Sequence, residues 1–140
     1  MRVVVDSNRV IASLIKDSTT RQILFDKNFY FIAPDFITTE INKYREEIMG
    51  KAILNEEEFD ILISIIFENI EIVPEENYKK HIESFKSKIS DEKDIPYLAV
   101  ALNNYAAGIW THDPHFLEQN MIKVFTNKDL LEIIRLSLPD

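Results

Sequence analysis

The sequence predicts an α/β protein, a three-layer α/β/α sandwich around a central, mostly parallel sheet. Short β-branched or aromatic runs (RVVVD, FYFIAP, IEIVP, GIWT, IKVFT) alternate with stretches of helical apolar spacing, the pattern of strands joined by helical crossovers. No repeat, linker or low-complexity tract interrupts the alternation. A chain of 140 residues, 46% hydrophobic, has the length and apolar content of one core. Residues 1–136 are therefore expected to form a single domain, with 137–140 as a C-terminal tail.

The elements follow in order. RVVVD is a strand ending in an acid, and SNRVIASLIK behind it carries Val10, Ile11, Leu14 and Ile15 at helical spacing after a Ser or Asn cap. TTRQILFDK continues as a short helix, and FYFIAP is a strand closed by proline. DFITTEINKYREEIMG reads as one helix over residues 35–50 with Gly50 as its C-cap. NEEEFDILISIIFENI has an Asn cap and an acidic first turn, then IEIVP forms a strand. In that helix Ile61 and Ile65 point away from the Phe59, Leu62, Ile63, Ile66 and Ile70 face, which suggests either a second packing layer or a dimer surface. EENYKKHIESFKSKIS is a more polar helix, and DIPYLAVALNNYAA is apolar all round, as a buried helix is. GIWT and IKVFT are strands, and NKDLLEIIRL is the closing helix.

Composition narrows the function. With no cysteine there is neither a disulfide framework nor a thiolate metal site, and a reducing cytoplasm is the expected compartment. The amino-terminal MRVVVDSN turns acidic too early for a signal peptide, and no apolar run is long enough for a membrane span. A net charge of −8 excludes a broad basic field for nucleic acid. Nucleic-acid binding then needs another source of positive charge, such as a divalent cation held by carboxylates.

The placement of the acids fits that source. Asp6 ends the first strand and Asp113 follows GIWT, so parallel strands bring both to one edge of the sheet. Each, taken singly, is equally an ordinary turn or helix-cap aspartate. At about 100° per residue, Phe36, Ile37, Ile41, Tyr44 and Ile48 cover roughly 140°, and Glu40 falls inside that arc. A carboxylate facing the interior must be neutralised, hydrogen-bonded or held against a cation, unless it bends out to solvent. Asp94 precedes Ile95 and Pro96 and suits an N-cap, but Asp91, Glu92 and Asp94 crowd the start of the most apolar helix. Convergence of such acids is unfavourable without a cation, and all-oxygen ligation selects Mg²⁺ or Mn²⁺ over zinc. His112 and His115 bracket Asp113, which invites a metal or general-base reading, but they lack the i, i+4 spacing of a helical zinc site, and capping or backbone hydrogen bonding is the favoured role. Ser7, Asn8 and Thr111 flank the acids and suit supporting roles, or simply caps and turns.

Taken in order, VVVDSN, PDFITTEI, DEKDIPYLAVAL and GIWTHDPHF resemble the motifs of the PIN domain family, metal-dependent ribonucleases that include many bacterial and archaeal toxins. The resemblance runs from Met1 to about Leu136. It implies a PIN-like fold and an acidic quartet of Asp6, Glu40, Asp94 and Asp113, with Asp91 as a further acid. Asn8 and Thr111 match the family's polar supporting positions. It also implies Mg²⁺ or Mn²⁺ as cofactor, RNA as substrate, a homodimer and a small antitoxin partner. Arg9 departs from the usual apolar residue after the Asp-x-Asn turn, and the charge of −8 is low for an enzyme that cleaves RNA.

The chemistry expected is phosphodiester hydrolysis without a side-chain nucleophile. Arg9, Lys16 and Arg21 are the basic residues expected near the substrate backbone. Two alternatives remain: a PIN-like module that binds without cleaving, and a receiver-type phosphoacceptor domain. The receiver reading wants an Asp after the central strand and a Lys ending the last, whereas IEIVP ends without Asp and Lys123 begins its run.

Overall fold

The computed structural model describes residues 1–15 and 17–139; Lys16 lies outside the described residues. Among these, five strands form one sheet: β1 (Arg2–Val5), β2 (Tyr30–Pro34), β3 (Ile70–Val73), β4 (Gly108–Trp110) and β5 (Val124–Phe125). Every pairing is parallel, and the order is β3-β2-β1-β4-β5. The helices are α1 (Ser7–Leu14), α2 (Ser18–Leu24), α3 (Phe36–Lys43), α4 (Arg45–Ala52), α5 (Glu56–Phe67), α6 (Glu75–Tyr78), α7 (Ile95–Asn103) and α8 (Asn127–Ser137). The arrangement is the expected α/β sandwich with a parallel sheet.

Central strands of a parallel sheet are covered on both faces and read as continuous apolar runs. Val3, Val4 and Val5 in β1 are all fully buried. The apolar-all-round helix behaves as its composition requires: α7 lies across β2, β1 and β4, and Tyr97 through Ala101 are buried. A second group of helices joins α1 to α2 and α2 to α8. Beyond the sheet, α5 and α8 each begin with a capping box, built by Asn55 with Glu58 and by Thr126 with Asp129. Gly108 opens β4 where β5 comes close: a Cβ there would sit 2.6 Å from the Lys123 carbonyl oxygen and 2.6 Å from the Phe125 ring.

Some elements differ from expectation. The helix expected over 35–50 is two, α3 and α4, broken at Tyr44 (φ −101°, ψ 10°). Arg45, the first residue of α4, pairs with Asp60 at 2.8 Å and stacks over Phe59 at 4.5 Å, which holds α4 against α5. Gly50 is not the C-cap but lies inside α4, and Ile53 takes the left-handed turn after it (φ 56°). The helix expected over 75–90 keeps only α6 and a 3-10 turn over Lys79–Ser84. Its last part carries Ser84, Ser87 and Ser90, whose side chains compete with helical backbone bonding. On α5, Ile61 and Ile65 are 55% and 44% exposed, so no second layer covers them.

Candidate metal centre

The sheet order places the site. From β1 the chain first builds outward through β2 to β3, then returns to lay β4 on the other side of β1. The crevice beyond the carboxyl ends of β1 and β4 is thus the switch point where ligands bind in such sheets. Val5 is in register with Trp110, and the Asp6 amide donates to the Trp110 carbonyl at 3.0 Å, which brings Asp6 beside Thr111.

Asp6 holds the N-cap position of α1, yet its carboxylate makes no cap bond. It is 5% exposed and accepts instead from the Thr111 hydroxyl at 2.7 Å. Ser7 Oγ lies 3.5 Å from its other oxygen. Thr111 Oγ1 accepts from Asn8 Nδ2 at 3.2 Å and from the Asp113 amide at 3.0 Å. A hydroxyl has two acceptor sites and one proton, so Thr111 is saturated and its proton belongs to Asp6. Burial pushes the Asp6 carboxyl up to about 7, against the Thr111 bond that lowers it; the charges of Glu40 and Asp113 raise it further.

Asp94 sits at the N-cap of α7, also without a cap bond. It is 7% exposed, and its buried Oδ2 has no hydrogen-bond partner. Burial, then the charges of Asp113, Asp6, Asp91 and Glu40, push its carboxyl up to about 8. Asp94 therefore feels the charge of the other three expected acids, each carried by a separate segment. Glu40, half-buried on α3, accepts from the Tyr97 hydroxyl of α7; burial raises its carboxyl, with the Tyr97 and Ser7 hydroxyls acting the other way. Asp113 and Asp91, by contrast, do cap: they accept from the His115 and Lys93 amides, each at 3.0 Å.

An orphaned buried carboxylate oxygen among four other carboxylates fits a bound cation. Asp91, Asp94 and His115 each bring one ligand atom within 4.8 Å of the others. His115 Nδ1 lies 3.2 Å from Asp113 Oδ1, and a carboxylate on one ring nitrogen is the arrangement that orients metal-binding histidines. His112 is exposed, and burial lowers its pKa.

The basic residues lie differently from expectation. Arg9 is 7% exposed and turned inward, with Nε donating to Asn8 Oδ1 at 3.0 Å and Nη1 to Thr20 Oγ1 at 3.4 Å. The Arg21 guanidinium donates to the Ser13 carbonyl. Lys93, unremarked in the sequence, is exposed and near enough for its charge to lower the Glu40 carboxyl.

Tyr97 also escapes the sequence reasoning, and His115 is set aside there as a metal ligand. Tyr97 had a signal, since it stands three residues after Asp94 on the same helical side. His115 had one too, its place beside Asp113, but its partners Asp91 and Asp94 are distant in the chain.

No helix among the described residues is long and apolar enough to cross a membrane. Compared with curated proteins, the chain matches none. The family model described as PIN domain matches residues 4–130, from within β1 to within α8. That match takes in the acids after β1 and β4 and every element between them, and the chain belongs to the PIN domain family.

Proposed function

We propose that the crevice is the active site of a divalent-metal-dependent ribonuclease that hydrolyses phosphodiester bonds of single-stranded or structured RNA. The observation that carries this reading is Asp94 Oδ2, buried without a partner among Asp6, Glu40, Asp91 and Asp113. These carboxylates are the residues that would hold Mg²⁺ or Mn²⁺, and His115 tilts the choice toward Mn²⁺, which accepts imidazole more readily. An ion held there would supply Lewis-acid polarisation of the phosphate and acidify an attacking water.

The chain's own groups do the rest. Thr111 gives its one proton to Asp6 Oδ2 and so orients that carboxylate. Tyr97 does the same for Glu40 through its hydroxyl. Lys93, on the turn before α7, is exposed, its charge reaches Glu40, and it suits a phosphate of the RNA backbone. Ile61 and Ile65, exposed side by side on one turn of α5, suit the core of a homodimer interface. A toxin role with an antitoxin partner agrees with the family but rests on no residue of this chain.

Purified protein should cleave single-stranded RNA with Mn²⁺ and not with EDTA, and Asp6→Asn should abolish cleavage. Metal-independent cleavage surviving Asp6→Asn refutes the assignment. A second reading, a PIN-like module that binds RNA without cleaving it, is favoured by the inward turn of Arg9, which removes one cation from the substrate path. Under that reading Mn²⁺ still binds and RNA is retained intact.

A further inference from the structure

We propose that Arg9 is a positioning residue: a buried cation that fixes the direction of a hydrogen-bond chain through Asn8 and Thr111 and thereby presents the Asp6 carboxylate to a divalent cation. The inference rests on the metal-site reading above.

Its basis is donor and acceptor counting. Arg9 is 7% exposed and makes no ion pair among the described residues. Its Nε–H points at Asn8 Oδ1, 3.0 Å away. An arginine carries donors only, so the face of Asn8 toward it must be the oxygen. The amide nitrogen of Asn8 is then forced toward Thr111 Oγ1, at 3.2 Å. Thr111 also accepts from the Asp113 amide, so both its acceptor sites are filled, and its proton has only Asp6 Oδ2 to go to, at 2.7 Å.

A carboxamide is pseudo-symmetric and can present either end. Without a donor-only group behind it, Asn8 can turn its oxygen to Thr111, draw the hydroxyl proton away, and release Asp6 Oδ2. Arg9 forbids that state. A purely structural role is the competing account, because Arg9 also reaches Thr20 on α2, and Thr20 accepts in turn from Asn127 on α8 at 3.3 Å.

Electrostatics and positioning predict opposite signs. Deleting a positive charge beside a cation site strengthens cation binding by Coulomb's law. Loss of the ordered chain weakens it, by the roughly 10- to 100-fold seen when a ligand's supporting partner is removed. The experiment is Mn²⁺ titration calorimetry on the full chain as wild type, Arg9→Met, Arg9→Lys, Asn8→Leu and the Arg9→Met/Asn8→Leu double variant. It is paired with ¹⁵N spectra of the Asn8 carboxamide in metal-free protein.

Arg9→Met is expected to weaken Mn²⁺ binding about tenfold or more, and Arg9→Lys to restore it to within about twofold, since lysine is also donor-only. The double variant is expected to lose no more than the worse single, the mark of residues acting through one another. Arg9→Gln, which offers either a donor or an acceptor, should split the Asn8 carboxamide signal into two populations, and it decides the matter if Arg9→Met does not fold. Unchanged or tighter Mn²⁺ binding in Arg9→Met, or additive losses in the double variant, overturn the inference while wild-type binding upholds the metal site. A wild type that binds no Mn²⁺ overturns both.

Discussion

Two aspartates directly follow strands at the carboxyl edge of the sheet, and the fold treats them oppositely. Asp35, after β2, gives one oxygen to the Tyr78 hydroxyl at 2.8 Å and the other to the Glu75 amide at 3.1 Å. It lines a cavity of about 430 Å³ with Phe36, Thr38, Thr39 and Glu75. Asp6, after β1, has one good partner and the repulsion of Glu40 and Asp113, and Asp94 in the same crevice meets that of Asp113, Asp6, Asp91 and Glu40. Strand-end position is common to both, so position does not mark the site. Satisfaction does: at β2 both carboxylate oxygens are used at ordinary hydrogen-bond distances, whereas in the β1/β4 crevice Asp6 Oδ1 has only the Ser7 hydroxyl at 3.5 Å and Asp94 Oδ2 has no partner. The open cavity lies at the satisfied acid, and the crowded crevice at the acids that repel one another.

The comparison can be broken most directly at Asp94. Asp94→Asn should cut Mn²⁺-dependent RNA cleavage by more than about 100-fold, beyond the roughly 10- to 100-fold lost when only a supporting partner is removed. The same change should raise the melting temperature of metal-free protein at pH 8, because it removes a buried charge that has no partner. A variant less stable than wild type at that pH would show that Asp94 is already satisfied.

The pH dependence has a definite sign. Burial and neighbouring negative charge push the Asp6 and Asp94 carboxyls from the ordinary 3.8 of the unfolded chain up to about 7 and about 8 in the fold. Between those values the folded state holds more protons than the unfolded state, so stability falls as pH rises. Metal-free melting temperature should therefore decline from about pH 4 to about pH 8 and then level. Saturating Mn²⁺ should flatten the decline, adding about 2.7 kcal/mol at a hundred times Kd. Thermal melts across that range, with and without Mn²⁺, measure both effects.

At the satisfied acid the outcome reverses. Asp35→Ala should cost about 1–3 kcal/mol of stability, since it strands the Tyr78 hydroxyl and the Glu75 amide. Mn²⁺ affinity should stay within about twofold, because electrostatic support from a carboxylate already in use is small. Chemical denaturation and calorimetry separate the two readouts. The smallest expected effect is at the rim: His115→Gln should weaken Mn²⁺ by a few-fold and leave Mg²⁺ nearly untouched, as softness of the imidazole ligand requires. Equal losses for both ions would show that the ring acts only on Asp113.

Much of this was legible in the sequence, and the reasons are specific. The strands announced themselves because a doubly covered parallel strand has to be apolar on both faces, as Val3 to Val5 are. Glu40 stood out because a helix fixes the direction of each side chain relative to its neighbours. What stayed hidden depends on tertiary contact. The break at Tyr44 follows from Arg45 engaging Phe59 and Asp60 on another helix, with no glycine or proline to signal it. That Arg9 faces inward depends on Thr20 and Asn8 converging on it. His115 meets Asp91 and Asp94 only once the turn after β4 is set against the start of α7. Spacing shows which residues share an element, and says little about which elements meet.

Gly108 gives the site an unexpected dependence on a position with no chemistry of its own. The gap between β4 and β5 there is too narrow for even a methyl group, with backbone on one side and an aromatic ring on the other. In a saturation-mutagenesis scan, position 108 should therefore group with the acids rather than with the loops. A side chain at 108 has to push β4 off β5, and three residues later that displacement arrives at Thr111, whose hydroxyl must lie within 2.7 Å of Asp6. Selection on the activity would then be read out as intolerance in the scaffold, a constraint that looks structural in origin and catalytic in consequence.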